Sequence, residues 1–218
     1  MGGPAAGAGV RQWDDVLATA ARLDHGRRLA LYPGAPAPGT WGSRAHQLEA
    51  GHTGCVAGAR KKGGPDSGPS PCDRGRPGSK HHLLTDGNGL PLVVALTAVN
   101  VPDGQLLETM LDAVQPIASP RGRPRKRPDK LHADKAYSSK KNRAACRRRH
   151  IAPRIARPGI ESKERLGRHR WKVERTFAWL HRYRRLLIRW ERRPDLPLGF
   201  LQLACCLIAF HFIVGTFC

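Results

Sequence analysis

Acidic side chains are scarce in this chain: 17 Asp and Glu stand against 38 Lys and Arg in 218 residues, for a formal charge of +21. The shortage is local, because residues 1–120 hold 11 basic and 10 acidic residues, whereas residues 121–193 hold 27 basic and only 6 acidic ones. A merely solvated surface would intersperse the two signs to limit self-repulsion. The basic window therefore favours a polyanionic partner. A nucleic acid is favoured over a membrane surface, because the cations do not line one face of an isolated amphipathic helix.

The chain also lacks the patterns that mark a secreted or cysteine-based protein. Its six cysteines form no CxxC pair, which argues against a disulfide framework or zinc knuckle and predicts reduced, cytoplasmic thiols. The first residues contain no basic segment followed by an apolar run, so no secretory signal is predicted. The run Phe200–Cys218 is long enough for a membrane span, but Gln202 and His211 interrupt it, and a core helix is the simpler interpretation.

Hydrophobic periodicity divides the chain into two parts. Residues 1–57 are predicted to be an irregular, partly disordered segment with one short helix near residues 13–23, and residues 58–212 a catalytic-type domain. Strands are predicted at 81–85, 90–99, 130–136 and 151–156, the first two joined by a turn at Asp86–Gly89, and the last at a sheet edge because of Pro153. Helices are predicted at 103–114, 138–149, 168–190 and 196–212. This order predicts an α/β domain, a mixed sheet flanked by helices.

Two carboxylates stand out within the basic window. Asp134 ends a short apolar strand, and Glu174 lies inside the arginine-rich helix, with thirty-nine residues between them. Carboxylates are costly to place among so many cations unless they have a task there, and holding a divalent metal against a phosphate backbone is such a task. Two structural alternatives remain open: Asp134 as a helix N-cap, and Glu174 as half of a surface ion pair with Arg170, one turn earlier.

Several short sequence motifs carry a family resemblance. They are Lys62-Gly-Gly, Gly68-Pro-Ser-Pro-Cys-Asp-Arg-Gly-Arg-Pro-Gly-Ser-Lys-His-His-Leu83, Ala133-Asp-Lys-Ala-Tyr137, Ile155-Ala-Arg157, Gly159-Ile-Glu-Ser and Gly167-Arg-His-Arg-Trp-Lys-Val-Glu-Arg-Thr-Phe-Ala-Trp-Leu180. Through them, residues 58 to about 206 resemble DDE transposases of bacterial insertion sequences. The resemblance implies an RNase H-like fold and DNA strand cleavage and transfer. It also implies two Mg²⁺ or Mn²⁺ ions held by two aspartates and a glutamate.

By that resemblance Asp134 matches the second catalytic aspartate and Glu174 the catalytic glutamate, both as metal ligands. The implied partners are transposon ends and target DNA, with a possible homo-oligomer on the DNA, at the bacterial nucleoid in the cytoplasm. We expect ten cations to contact phosphate, and the interleaved aromatic residues to be core anchors. These cations are Arg121, Arg123, Arg125, Lys126, Arg127, Arg168, Arg170, Lys172, Arg175 and Arg182.

The sequence departs from the family pattern at the first aspartate. That residue should lie on a strand just upstream of Lys61-Lys-Gly-Gly64, within residues 46–57, a window that holds no aspartate. Glu49, Asp66 and Asp73 are weak substitutes, and Asp73 is more plausibly a turn residue. Residues 1–45 do not resemble the family's DNA-recognition region. These departures suggest a truncated or decayed copy, and the alternative function is a catalytically inactive DNA-binding remnant.

Overall fold

The computed structural model describes residues 50–60, 64–117, 123–160 and 163–214. The helix predicted near residues 13–23 lies outside these ranges. Within them the chain forms a seven-stranded sheet. Its strands are β1 (Ala50–Arg60), β2 (Gly68–Pro69), β3 (Pro77–Thr85), β4 (Pro91–Ala98), β5 (Lys130–Ala133), β6 (Ala152–Ile155) and β7 (Ile188–Arg189).

The sheet is mixed. β1 pairs antiparallel with β3, and β3 pairs antiparallel with β4. On its other side β1 pairs parallel with β5, and β5 pairs parallel with β6. The order of the long strands is therefore β4-β3-β1-β5-β6, in which three parallel strands follow an antiparallel pair. This is the RNase H-like arrangement, and it confirms the predicted fold class, with β6 at the edge as expected.

In the described ranges, five helices and two 3-10 turns connect and cover the sheet. A 3-10 helix, Asp103–Leu106, leads into α1 (Leu107–Asp112), and another, Lys135–Tyr137, precedes α2 (Lys140–Arg148). The remaining helices are α3 (Lys163–Leu180), α4 (Arg184–Leu187) and α5 (Asp195–Val214). Successive strand residues point to opposite faces, and both faces are buried: Leu84 and Val93 pack with α1 and α2, whereas Leu83 and Val94 pack with α3 and α5.

Two predicted boundaries are wrong. β1 begins at Ala50, so the predicted limit between the N-terminal segment and the domain, at residues 57 and 58, falls inside a central strand. The helix predicted over residues 168–190 ends at Leu180, and the chain then forms α4 and β7. The reason is tertiary, because β7 pairs with the end of β1 through Ala59 and Arg60.

Helix α5 covers one end of the sheet. Leu201, Ala204, Cys205 and Ile208 pack in the core, whereas Leu203 and Phe210 are 58% and 50% exposed. In the described part of the chain one helix, α5, is long and apolar enough to cross a membrane, over the window Asp195–Phe212. A core helix passes the same test, so one such helix is weak evidence for a span; a third of this window is buried inside the structure.

Two adjacent core histidines should make stability depend on pH. Burial lowers the pKa of both His81 and His82 to about 4, from an ordinary value of 6.5. As the pH falls below 6.5 the unfolded chain binds protons first, so the free energy of unfolding should decrease down to about pH 4 and then level off. The loss is expected to be about 2–3 kcal/mol per histidine.

Urea unfolding between pH 7.5 and 4 measures this dependence. His82→Gln should flatten the curve, while His150→Asn, at an exposed position, is the control and should keep the wild-type slope. Equal slopes for all three proteins would contradict the prediction.

Candidate active site

The candidate site is a cleft at the carboxyl end of β5. The parallel pairing of β1 with β5 ends at Thr53 and Ala133, after which β5 stops and β1 continues. The cleft has a volume of about 460 Å³. Its lining comes from β1, the segments around the two 3-10 helices, and α3: Thr53, Gly54, Cys55, Val56, Asp103, Asp134, Tyr137, Val173, Glu174, Phe177, Ala178 and His181.

Asp134 lies where β5 ends, and its side chain is half-buried. Its Oδ1 accepts a hydrogen bond of 2.6 Å from the backbone N–H of Lys135, so it is the N-cap of the 3-10 helix Lys135–Tyr137. The helix α2 that follows has its own cap, Ser139, whose Oγ accepts from Asn142 N–H. Asp134 is therefore both an N-cap and part of the cleft lining. The two roles are compatible, because the cap fixes the same carboxylate that lines the cleft.

Glu174 lies on α3 and is exposed at the cleft. The helix approaches β1 closely at Gly54, where a Cβ atom would lie 3.3 Å from the Phe177 ring and 3.5 Å from Val173. Val173 and Phe177 are one turn apart, so they face the sheet together and leave Glu174 at the side of the helix. The predicted pairing of Glu174 with Arg170 involves a side chain outside the described part of the structure.

Three side chains of α3 hold the helix against the β3–β4 turn. Lys172 Nζ donates to Gly87 O, Arg175 Nη2 donates to Asn88 O at 2.5 Å, and Thr176 Oγ1 donates to Gly89 O at 2.6 Å. We call these contacts the turn clamp. They satisfy three successive carbonyls with donors from one helix face, so they fix the position of α3 along the sheet. The position of Glu174 in the cleft follows from this fixed position of α3.

Two members of the predicted DNA-binding set take part in the turn clamp. Lys172 and Arg175 are half-buried and bonded within the fold, and the Arg175 guanidinium lies 4.7 Å from the ring centroid of Trp171 and 4.6 Å from that of Trp179. Burial also lowers the pKa of Arg175, although the charge of Asp86 opposes this. These two residues are structural in the protein as it stands, and the two tryptophans stack on an arginine.

The other predicted cations differ in how available they are. Arg123, Lys126 and Arg182 are exposed. Arg125 pairs with Asp129, and Arg127 donates to Arg149 O at 2.5 Å. Arg121 lies outside the described residues, and Arg168 and Arg170 lie in the part of α3 whose side chains are not described.

Sequence reasoning missed a third acidic side chain in the cleft, beside Asp134 and Glu174. Asp103, predicted only to begin a helix, receives a bond of 2.5 Å from Lys80 Nζ, and both side chains are largely buried. Cys55 and Tyr137, also missed, lie beside it. The signal was present in the alternation of β1 and β3, because Cys55 and Ala57 pair with His82 and Lys80 and so share one sheet face with them.

The pKa values of this cluster show why Asp103 is already committed. Burial raises the pKa of the Cys55 thiol to about 12, and the bond to Asp103 adds to the rise, so the thiol is neutral. Burial also pushes the pKa of Asp103 upward. Hydrogen bonds from Cys55 and Lys80, together with the charge of Lys80, outweigh that effect, so the net pKa is lowered. Asp103 is therefore an ionised carboxylate neutralised by Lys80, and Cys55 is a thiol donor.

The residues do not form a three-carboxylate metal cage. Within the described ranges no group of three or more His, Cys, Asp or Glu side chains could hold a metal ion. Asp66 and Asp73 do not line the cleft, and Asp73 organises its turn through Arg76 N–H, which donates to Asp73 O at 2.8 Å. Glu49 lies outside the described residues. Asp134 and Glu174 alone fit a weaker arrangement, since Mg²⁺ is often held by one or two carboxylates with water and substrate phosphate completing its shell.

The mixed sheet carries one carboxylate at the end of β5 and another on a covering helix, and the comparisons with known proteins name the family. Residues 45–209 match the family model described as the transposase DDE domain, so the chain belongs to that family. The chain is 46% identical over 202 residues to the protein assigned as transposase to insertion sequence element IS402 of Burkholderia cepacia. That match covers 93% of this chain and 96% of the relative. Because the matched length exceeds the number of residues from 46 to the C-terminus, the match includes part of the N-terminal segment.

Two solved structures are similar to parts of the chain. A chain of the simian T-cell lymphotropic virus intasome, in complex with the PP2A regulatory subunit B56 gamma, matches with a TM-score of 0.47 and 16% identity. That match covers 75% of this chain, which spans about half (49%) of the viral one. The catalytic core domain of BIV integrase matches with a TM-score of 0.40 and 12% identity, over 72% of this chain and 82% of that one.

The turn clamp can be tested at Gly89. Its φ is +87°, and a Cβ there would lie 3.1 Å from Lys172 O, a backbone atom of α3. We expect Gly89→Ala to lower the free energy of unfolding by about 2–4 kcal/mol, because strain at positive φ adds to the clash with the helix. Gly75→Ala is the matched control, since Gly75 also has positive φ (+72°) but open space around it, and it should cost only about 1–2 kcal/mol. Equal losses in urea unfolding would show that the helix contact is unimportant.

The incomplete carboxylate set can be tested at Gly54. This residue follows the last β1–β5 pair, faces α3 and lines the cleft together with Asp134 and Glu174. Gly54→Asp should bind Mn²⁺ at least about tenfold, or 1.4 kcal/mol, more tightly than Gly54→Asn, which has the same shape without the charge. Titration calorimetry measures the difference. Equal Mn²⁺ affinities of the two variants would place the missing ligand elsewhere.

Proposed function

We propose that this transposase-family chain binds DNA through its basic surface and carries out strand cleavage and transfer by metal-dependent phosphoryl transfer. The observation that carries the proposal is the convergence of Asp134 and Glu174 on one cleft, although thirty-nine residues separate them in the chain. These are the two carboxylates that the family pattern identifies. Among the described residues no other pair of acidic side chains in the cleft is available, because Asp103 is neutralised by Lys80.

In this proposal Asp134 and Glu174 hold a divalent ion, Mg²⁺ or Mn²⁺, at the mouth of the cleft. Such an ion would stabilise the negative charge that develops on oxygen when a phosphodiester bond is broken. The protein residues supply position: the cap fixes Asp134, and the turn clamp fixes α3 and with it Glu174. The ordered placement of both groups before DNA binds lowers the cost of arranging them during reaction.

DNA is the proposed partner, in the form of transposon ends and target, and assembly of several copies on DNA is proposed with it. The support is the charge of +21 and its concentration in residues 121–193. Contacts of lysine and arginine with phosphates give affinity that falls steeply with salt and carry little sequence information. Among the predicted contacts, Arg123, Lys126 and Arg182 remain as exposed candidates, whereas Lys172 and Arg175 act within the fold. Such binding would place the protein at the bacterial nucleoid.

A catalytically inactive DNA-binding remnant is the second candidate function. The β1 residues that line the cleft favour the inactive remnant, because none of them carries a carboxylate. These residues are Thr53, Gly54, Cys55 and Val56. Loss of one member of a group that acts as a unit commonly removes most of the activity. The two candidates share the DNA-binding surface and differ only in turnover.

Strand cleavage of element-end DNA, with Mg²⁺ or Mn²⁺, separates the two. If the proposal holds, Asp134→Asn and Glu174→Gln should each reduce cleavage by at least about a hundredfold, since each removes a charged ligand without changing shape. Asp129→Asn is the matched control, because Asp129 is exposed next to the other end of β5 and should leave the rate unchanged. DNA binding without cleavage by the unchanged protein would select the remnant. Equal loss in the Asp129 variant would show that the effect does not come from the cleft.

A further inference from the structure

A set of exposed cations lies at the same sheet edge as Asp134 and outside the basic residues discussed so far. Because β5 and β6 are parallel, their carboxyl ends meet at one edge. The segment after β6 stays there, since Ala156 N–H donates to Ala133 O at 3.2 Å, next to Asp134. Arg157 follows directly and is exposed.

Helix α2 begins at this edge as well. Arg143, in its first turn, donates to Ile155 O at 2.8 Å and so ties the start of the helix to the end of β6. Lys140 and Lys141, the first two residues of α2, are exposed. Lys140, Lys141 and Arg157 therefore lie near one another beside the cleft, and we call them the rim cations.

The rim cations differ from the other basic residues of α2 in having no acidic partner among the described residues. At the far end of the helix, Arg148 pairs with Glu108 at 2.6 Å, and Arg149 pairs with Glu108 and Asp112 at 3.2 and 2.6 Å. The hydrogen bonds to Asp112, opposed by some burial, raise the pKa of Arg149 and keep it charged within that pair. As far as the described side chains go, acidic residues pair with the cations at the far end of α2 and not with those at the end beside Asp134.

We propose that the rim cations bind the phosphate backbone of a DNA duplex and lead one of its strands across the sheet edge to the cleft. Uncompensated cations attract a polyanion most strongly, because no internal ion pair has to be broken when a phosphate arrives. The carboxylates of the cleft would repel the same backbone, so neighbouring cations are needed to hold it there. The assignment of DNA as the polyanion rests on the proposed function; the position of the surface rests on the fold.

The test is the salt dependence of DNA binding by the full chain. Affinity for a mixed-sequence duplex is measured by fluorescence anisotropy over a range of NaCl concentrations. The triple variant Lys140→Ala, Lys141→Ala, Arg157→Ala should lower the slope of log affinity against log salt by about 2 to 3, roughly 0.9 for each phosphate that is no longer neutralised. Affinity at about 0.1 M salt should fall by roughly 10- to 100-fold, as expected when two or three phosphates are released.

The control is Lys130→Ala, Arg147→Ala, Arg148→Ala, which also removes three exposed cations from β5 and α2, but at the opposite end of both elements. Its slope should stay within about 1 of the unchanged protein. Equal slopes for both variants, or a larger change in the control, would overturn the proposal. Lys140→Arg with Lys141→Arg should keep the original slope, which excludes an effect of altered side-chain packing, and thermal unfolding confirms that each variant is folded.

The outcomes remain distinguishable from those of the proposed function. Asp134→Asn should abolish cleavage while it leaves the salt slope unchanged or raises affinity slightly, because it removes a repulsive charge. If the unchanged protein binds DNA without cleaving it, the catalytic proposal fails, and a lower slope of the rim variant still supports the rim surface. If cleavage is present and the rim variant binds like the control, only the rim surface is wrong.

Discussion

The docking of the β3–β4 turn onto α3 is the interaction on which the candidate site depends. An α-helix turns about 100° per residue, so a rotation by one residue would move Glu174 out of the cleft and bring Arg175 towards the sheet. Two contacts prevent this. Val173 and Phe177 fit against the bare backbone of Gly54, and the turn clamp joins Lys172, Arg175 and Thr176 to three successive carbonyls. The first contact sets the rotation of the helix, and the second sets its position along the sheet.

The same clamp changes the meaning of the high charge. Several arginines donate hydrogen bonds to backbone oxygens inside the fold. Arg189 is 5% exposed and donates to the carbonyls of Pro65 and Asp66. Arg143 donates to the carbonyl of Ile155. A buried guanidinium with its donors satisfied is a structural element. The formal charge therefore overstates the number of groups available to a polyanion. The position of each cation relative to its internal partners, and not the number of basic residues in the sequence, decides whether it is available to a polyanion.

Local patterns predicted the parts of this protein that local chemistry determines. The apolar runs before and after Asp86–Gly89 predicted the β3–β4 hairpin, and the short apolar run ending at Asp134 predicted β5. Hydrophobic periodicity did not predict β1, because its sequence is rich in Gly and Ala, which have low strand propensity; only the family resemblance implied a strand within residues 46–57. Pairing with β3 and β5 makes β1 a central strand. The turn clamp was missed for a related reason, since its donors and acceptors are 85 to 87 residues apart in the chain.

The contacts that hold the two proposed metal ligands in place do not depend on a metal. Asp134 is fixed by its own cap and Glu174 by the turn clamp, and neither support uses a metal or a third carboxylate. A copy that had lost turnover would therefore keep the cleft, the sheet edge and the exposed cations. At the β1 positions that line the cleft, Gly54 permits close helix packing and Cys55 is a neutral thiol bonded to Asp103. The shape of the cleft is thus common to both candidate functions, and the chemistry of this short stretch of β1 distinguishes them.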